Sequence, residues 1–168
     1  MFYPALGAAL AEAVNKAGTS LRHGFILTLC MLSLTLGGGD ISFTARDVAK
    51  FGLLYLNDGV YEGKQIVPAD WVRESLQTYS TGLYGDRLGS YFRDIGYGYL
   101  WWSARAGRHH FNYAWGHGGN LIILLDELDM VIVTTANPLH GVWVEEAWEK
   151  EGAIIDLVGR FIASLPGE

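Results

Sequence analysis

The stretch WGHGGNLIILLDELDMVIVTTAN at residues 115–137 decides the fold of this 168-residue chain. Two apolar runs, residues 121–125 and 130–135, stand on either side of an acidic sequence at residues 126–129. Short runs rich in Ile, Leu and Val that are joined by a polar turn are typical of a β-hairpin. Because both runs are nearly continuous in apolar residues, the sequence also predicts a sheet that is covered on both faces.

A histidine among glycines precedes the hairpin. His117 follows Gly116 and is followed by Gly118 and Gly119. Since glycine has no side chain, a substrate can approach His117 closely, and the pattern predicts one half of an active site. The alternative interpretation is a tight strand entry in which the glycines permit a turn and His117 caps it.

Helices are predicted on both sides of the strand region. Thr44 and Asp47 resemble a capping box, and apolar residues then repeat at helical spacing until the stop signal at residues 57–59. Pro68 begins a second helix after a hairpin-like link at residues 60–66. The last predicted helix has an apolar stripe formed by Ala147, Trp148, Ile154, Ile155, Val158, Phe161 and Ile162.

Strands are predicted between these helices. Residues 78–96 are rich in Gly, Tyr, Ser and Asp without a clear period, so we expect a long surface loop that overhangs a site. The strands predicted after this loop are residues 97–103, 109–115, 120–125 and 130–136. The last helix, residues 144–165, is expected to cover one face of the sheet. The predicted fold class is α+β, a mostly antiparallel sheet flanked by helices.

Composition and charge exclude several classes of protein. The chain is 50% hydrophobic and long enough to bury a sizeable core, so one globular domain is predicted. The net charge of -6, without a cluster of Lys and Arg, argues against a nucleic acid or an anionic membrane as partner. A small-molecule or peptide-like substrate remains open. The single cysteine, Cys30, excludes a disulfide within the chain and is expected to be an inert buried thiol.

Residues 1–36 stand apart from the rest of the chain. Residues 5–16 have helical composition, and residues 25–36 form an apolar run that is shorter than the roughly 20 residues needed to span a bilayer. A buried strand or helix is the favoured interpretation of this run, and the core of a signal peptide is the alternative. No stable membrane span is predicted, and the cellular compartment stays open.

From residue 37 to residue 165 the sequence resembles a known family. The matching stretches are GGGDISFTARDVAKFGLLYLNDGVYEGKQIVPADWV, YGYLWW, WGHGGN and the apolar hairpin ending in TTAN. They are similar to the C-terminal portion of the serine beta-lactamase, penicillin-binding-protein and esterase family, on the class C side. The resemblance implies part of the beta-lactamase and transpeptidase fold over residues 37–168, preceded by an atypical segment at residues 1–36. It also implies acyl transfer from an ester, an amide or a beta-lactam, without a cofactor.

The resemblance assigns roles around the histidine. In this family a triplet of Lys or His, a small residue and Gly faces the nucleophilic serine, and it corresponds to His117, Gly118 and Gly119. His117 would hold a substrate carboxylate or take part in proton transfer. The backbone N–H of Asn120 would be one of two oxyanion donors, and the nucleophile's own N–H would be the other.

Two aromatic residues flank this predicted site. Most of the aromatic side chains in the strand region are expected to pack in the core. Trp115 and Tyr113 are the exceptions, since they flank the predicted site, and both are predicted to contact substrate.

The family's nucleophile is not found in these 168 residues. In the family it is a Ser followed three residues later by Lys, which takes the serine's proton. No Ser in the sequence has Lys at that spacing. The second family element, a Tyr or Ser two residues before Asn, is matched only formally at Tyr55, which ends an amphipathic helix and is interpreted as structural. We therefore expect either a truncated relative that is inactive alone, or a second chain that supplies the nucleophile.

Other interpretations of the same residues are weaker. His109, His110 and His117 could form a metal site, but adjacent residues of a strand point to opposite faces and no Asp or Glu completes a motif. No metal is therefore predicted. An α/β-hydrolase would need a G-x-S-x-G elbow, which the sequence lacks. A second hypothesis for function is a catalytically dead remnant that binds a ligand or a partner through the old cleft.

Truncation predicts exposed apolar surface. In the complete fold the strands and helices pack against the missing half, so a strand edge should lack its usual cover. Residues 25–36 are one candidate to fill that place. Self-association is the alternative, and a homodimer or a complementing chain is the predicted partner.

Overall fold

The structure is a computed structural model that describes residues 43–82, 88–137 and 144–167. The predicted helix at residues 5–16 and the apolar run at residues 25–36 lie outside the described residues, as does Cys30. In the described part, helices flank a six-stranded antiparallel sheet. The prediction of an α+β fold with a mostly antiparallel sheet is confirmed.

Helix α1 spans Ala45–Leu56 and begins where the capping box predicts. The hydroxyl of Thr44 accepts the backbone N–H of Asp47 at 3.3 Å and donates to its carboxylate at 2.6 Å. A capped first turn satisfies backbone donors that would otherwise have no partner. The helix ends at Asn57, whose backbone N–H donates to the carbonyl of Leu53 at 3.0 Å.

A small hairpin and a short helix follow α1. Strands β1 (Val60–Tyr61) and β2 (Lys64–Gln65) pair antiparallel, as the hairpin-like link predicts. Gly59 before them has a φ of 80°, and a side chain at this position would collide with the carbonyl of Val67. Helix α2 spans Ala69–Ser75 and starts directly after Pro68, which confirms the second predicted helix.

The main sheet is a meander in which each strand pairs with the next along the chain. Its strands are β3 (Ser80–Thr81), β4 (Arg93–Tyr97), β5 (Trp102–Ala106), β6 (His109–Gly116), β7 (Asn120–Leu125) and β8 (Met130–Thr134). The predicted hairpin is confirmed, with β7 joined to β8 through a 3₁₀ turn at Asp126–Leu128.

Two predictions about the strand region are wrong. Residues 97–103 do not form one strand, because the turn between β4 and β5 lies inside them, with the N–H of Gly98 donating to the carbonyl of Trp101 at 2.8 Å. Residues 78–96 are not a continuous surface loop, since both ends are strands. Asp94 has a positive φ and the β4–β5 register shifts beside it, which hides the alternation expected of a strand.

The core lies on both faces of the sheet, as the continuous apolar runs predict. On β7, alternate side chains belong to two separate hydrophobic clusters, with Ile123 in one and Leu124 in the other. The first cluster includes Ile155, Val158 and Ile162 of helix α3, which spans Val144–Ser164. Helix α1 packs against β7 and β8 on the opposite face.

Helix α3 is the last element and confirms the predicted C-terminal helix. Its 21 residues bury only one face, so the helix is amphipathic rather than apolar all round. Within residues 43–82, 88–137 and 144–167, no helix combines the length and the apolar character that crossing a membrane requires.

Among the strands of residues 43–82, 88–137 and 144–167, β8 stands at the end of the strand order. All five of its residues are half-buried, whereas most of the neighbouring β7 is buried. The strand carries no charged residue. In natural sheets, charges or other devices commonly protect an outermost strand against pairing with another chain.

Candidate functional site

The β6–β7 turn carries the histidine predicted to be functional. Gly116 and Asn120 are the last paired residues of the two strands, so the turn consists of the three residues between them. Gly118 and Gly119 have φ values of 83° and 90°, a backbone conformation that favours glycine. A Cβ on Gly119 would lie 2.9 Å from the Cδ1 atom of Ile154 in α3. The glycines therefore let the turn reverse while it lies directly against the helix.

His117 is the exposed residue of this turn. Its side chain retains 49% of its accessible surface, whereas Gly118 and Gly119 are buried. The imidazole ring meets the ring of Trp148 edge-on, with 5.2 Å between centroids. Its Nδ1 atom lies 3.4 Å from the Oε2 atom of Glu151. Helix α3 thus supplies both neighbours of the histidine ring.

Glu151 is a buried carboxylate that sequence reasoning missed. Only 2% of its side chain is accessible, and its Oε2 atom accepts the backbone N–H of Gly118. Its Oε1 atom is enclosed and has no hydrogen-bond partner. The signal was present in α3, since position 151 lies between the buried residues Ala147 and Ile155 at helical spacing. A charged residue within an apolar stripe predicts a polar partner on the facing element, because burying a carboxylate is costly unless it is paired.

The side chain of Asn120 closes the turn. Its Nδ2 atom donates to the carbonyl of His117 at 2.8 Å, and its Oδ1 atom accepts the backbone N–H of Ala136 at 2.8 Å. The amide thereby ties the turn to the segment that follows β8. Both contacts serve the backbone, so the side chain contributes to the site by holding the shape of the turn.

The backbone of Asn120 belongs to the last rung of the β6–β7 ladder, opposite Gly116. The next N–H along the strand, from Leu121, donates to the hydroxyl of Thr134 on β8 at 3.1 Å. Successive N–H groups of a strand point to opposite sides in the sheet plane. The N–H of Asn120, predicted to be an oxyanion donor, therefore points toward β6.

A row of aromatic side chains leads across the sheet to the turn. The ring of Trp102 lies 4.5 Å from that of Tyr97 and 5.6 Å from that of Trp115, measured between centroids. Trp115 is half-buried and stands two residues before His117. Tyr113 has no accessible surface and packs in the core, where burial raises the pKa of its phenol far above the ordinary value. The structure thus places Trp115 beside the turn. The prediction that Tyr113 contacts substrate is wrong, because its side chain packs behind the turn with no accessible surface.

The histidines considered as metal ligands are not brought together. His109 lies at the opposite end of β6 from the turn, about 25 Å away for a strand of this length. His109 is buried and the adjacent His110 is exposed, as expected of neighbours in a strand. In the part of the chain that the structure describes, no group of three or more His, Cys, Asp or Glu residues could hold a metal ion.

Several serine hydroxyls and the formal tyrosine match are engaged in local structure. The hydroxyls of Ser75, Ser80 and Ser164 donate to backbone carbonyls, and that of Ser103 lies 2.6 Å from the hydroxyl of Thr78. Tyr55 is buried with its ring 4.7 Å from that of Trp101. These contacts give the four serines and Tyr55 structural roles.

Comparison with known proteins adds evidence from solved structures. No family model matches the chain. Among solved structures, the chain is similar to a protein described as "Putative 6-aminohexanoate-dimer hydrolase from Bacillus anthracis", with 24% sequence identity and a TM-score of 0.47. The similarity covers 74% of this chain and 30% of that chain, so this chain spans less than a third of that protein's length.

Proposed function

We propose that the chain is a domain of a beta-lactamase-related serine hydrolase, for acyl transfer from an ester, an amide or a beta-lactam. The observation that carries the proposal is the exposed His117 on a turn of two left-handed glycines. Such a turn leaves about half of the imidazole accessible to a substrate, with the ring of Trp148 beside it. The sequence resemblance over residues 37–165 supports the same assignment.

In this proposal each residue of the turn has a role. His117 binds a substrate carboxylate or exchanges a proton with the reacting groups. Gly118 and Gly119 shape the turn that presents His117, and the backbone N–H of Asn120 donates to the oxyanion that forms when the carbonyl is attacked. Its ladder position opposite Gly116 means that this donor becomes accessible only if the last rung of the hairpin opens. Trp115 contacts the substrate, while the buried Tyr113 supports the aromatic row from behind.

The chain alone is proposed to be inactive. No serine in the sequence has a lysine three residues later, and acyl transfer by this family's chemistry needs that pair. A serine on a complementing chain would supply the nucleophile and the second oxyanion donor. No cofactor enters the proposed reaction.

A second candidate is a catalytically dead module that binds a ligand or a partner. Strand β8, which is half-buried, uncharged and last in the order of the described strands, favours it. Such an edge can pair with the same edge of a second copy, which gives a homodimer. Sedimentation of the full chain is expected to show a dimer that Val133→Lys weakens, since a charge on the edge opposes pairing. A monomer at all concentrations would contradict this candidate.

The first proposal is tested by mass and by binding. After incubation with a fluorophosphonate, and separately with a penicillin, the intact mass of the full chain should be unchanged. A stoichiometric adduct on one serine would overturn the need for a second chain. In a titration followed by amide NMR, a penicillin should perturb residues 115–120 of the wild type, and its methyl ester or the His117→Gln variant should respond less. Absence of a response at residues 115–120 would contradict binding at this turn, and an equal response to the methyl ester would contradict recognition of the carboxylate by His117.

A further inference from the structure

The structure points to a positioning role for Glu151. We infer that its buried carboxylate keeps the proton of the neutral His117 ring on Nδ1 and leaves Nε2 as the hydrogen-bond acceptor. The inference rests on the proposed function only for what the tautomer of His117 would do in a reaction. The protonated nitrogen itself is a property of the chain and can be observed without a substrate.

The geometry around Glu151 supports this assignment. The Oε2 atom is 3.4 Å from Nδ1 of His117 and also accepts the N–H of Gly118, the next residue of the turn. An ionised carboxylate accepts hydrogen bonds and cannot donate them. A neutral imidazole that turns Nδ1 toward it therefore carries its hydrogen on that nitrogen, and the lone pair lies on Nε2. Contacts in substrate-free sites commonly tighten once the ligand is bound.

The burial of the Glu151 side chain indicates that its carboxylate acts through the groups it contacts. Glu151 is almost fully enclosed, and its Oε1 atom has no hydrogen-bond partner. A helix that only packed against the sheet would have an apolar residue between Ala147 and Ile155. Both contacts of Oε2 lead to the exposed end of the β6–β7 turn. The contacts that offset the unfavourable burial of this carboxylate are therefore the same ones that orient His117 and select its tautomer.

The tautomer separates the two roles proposed for His117. Binding a substrate carboxylate by a hydrogen bond from a neutral ring requires a hydrogen on Nε2. With the hydrogen on Nδ1, Nε2 can instead accept a proton from a hydroxyl group, and the carboxylate behind the ring stabilises the imidazolium that results. The position of Glu151 thus favours proton acceptance over carboxylate binding by the neutral ring.

The test uses nitrogen-15 NMR of the histidine rings at about pH 8.5, where an ordinary imidazole is neutral. The wild-type full chain is expected to show His117 with hydrogen on Nδ1. Glu151→Met retains the approximate size of the side chain but removes both acceptor oxygens, and it should convert a large part of His117 to the form with hydrogen on Nε2. The matched control is Glu127→Met, which removes the carboxylate that faces Nδ1 of His109. It should change the His109 ring and leave His117 as in the wild type.

Hydrogen on Nε2 of His117 in the wild type would overturn the inference, even if no variant folds. An unchanged His117 tautomer in a folded Glu151→Met variant would overturn it as well. The amide spectrum of that variant, away from the turn, reports whether the fold is retained. Failure of the acyl-transfer proposal would appear in the mass and titration experiments and would not alter the ring spectrum, so the two failures are distinguishable.

Discussion

A histidine faces a glutamate at each end of strand β6, and the two pairs differ in which partner is buried. At the start of the strand, His109 has no accessible surface and Glu127 retains 48% of its own. At the turn after the strand, His117 retains 49% and Glu151 only 2%. In the first pair the imidazole is buried and the carboxylate meets water, whereas in the second pair the burial is reversed.

The difference separates a structural pair from a candidate chemical one. The Nδ1 atom of His109 faces Glu127, and its Nε2 atom lies 3.1 Å from the carbonyl of Leu165. Both nitrogens are therefore engaged, and the ring connects the end of α3 to the β7–β8 turn. His117 is half-exposed, so its ring remains accessible to a small molecule. Exposure of the imidazole, rather than its pairing with a carboxylate, is what distinguishes the histidine proposed to be functional from the structural one.

The largest expected effect on stability is at the structural end. His109→Ala removes a buried ring and two contacts and leaves a cavity, so the free energy of unfolding should fall by about 2–4 kcal/mol. His117→Ala is the counterpart at the exposed end and should change it by less than about 1 kcal/mol. Urea unfolding of both variants measures the difference. Similar losses for the two variants would contradict the comparison.

A smaller effect is expected from the glycine beside α3. Gly119→Ala forces a side chain into a left-handed backbone and against Ile154, so it should destabilise the fold by about 2–3 kcal/mol. Gly63 is the matched control, because its φ is 74° and a Cβ added there would have no other atom within 4 Å. Gly63→Ala should therefore cost only about 1 kcal/mol. If both variants lose the same stability by urea unfolding, contact with α3 does not constrain the turn.

The smallest effect concerns Tyr113, which lies behind the site. Burial raises the pKa of its phenol above the ordinary value of 10.0, so the folded chain keeps the proton where the unfolded chain releases it. The resulting stability is complete below about pH 10 and is lost above it, at about 1.4 kcal/mol per pH unit. Tyr113→Phe lacks this titration and should change stability at pH 7 by less than about 1 kcal/mol.

Denaturant unfolding at about pH 9 and about pH 11 tests the tyrosine prediction. The wild type should lose roughly 1 kcal/mol more than Tyr113→Phe between these two conditions, since only the wild type can ionise this phenol on unfolding. The other tyrosines titrate in both proteins and cancel in the difference. An identical loss in the two proteins would show that Tyr113 is accessible to water in the folded chain.

Local patterns predicted much of the fold. The capping box at Thr44, the proline before α2 and the acidic turn between β7 and β8 each depend on neighbours along the chain, and the structure confirms all three. The β4–β5 turn was not predicted, because the aromatic residues around Gly98 have the composition of a strand. A side chain on Gly98 would collide with the carbonyl of Gln77, a contact that only the folded chain brings together.

Of the candidate site, the sequence by itself determined the histidine and the glycines, because the conformational freedom of glycine and the chemistry of imidazole belong to the residues themselves. Only the tertiary structure decided the partner of that histidine. Glu151 is 34 positions further along the chain, and the packing of α3 on the sheet places its carboxylate beside the turn. Helical periodicity predicts which positions of α3 face the sheet, but it does not state what each one contacts there.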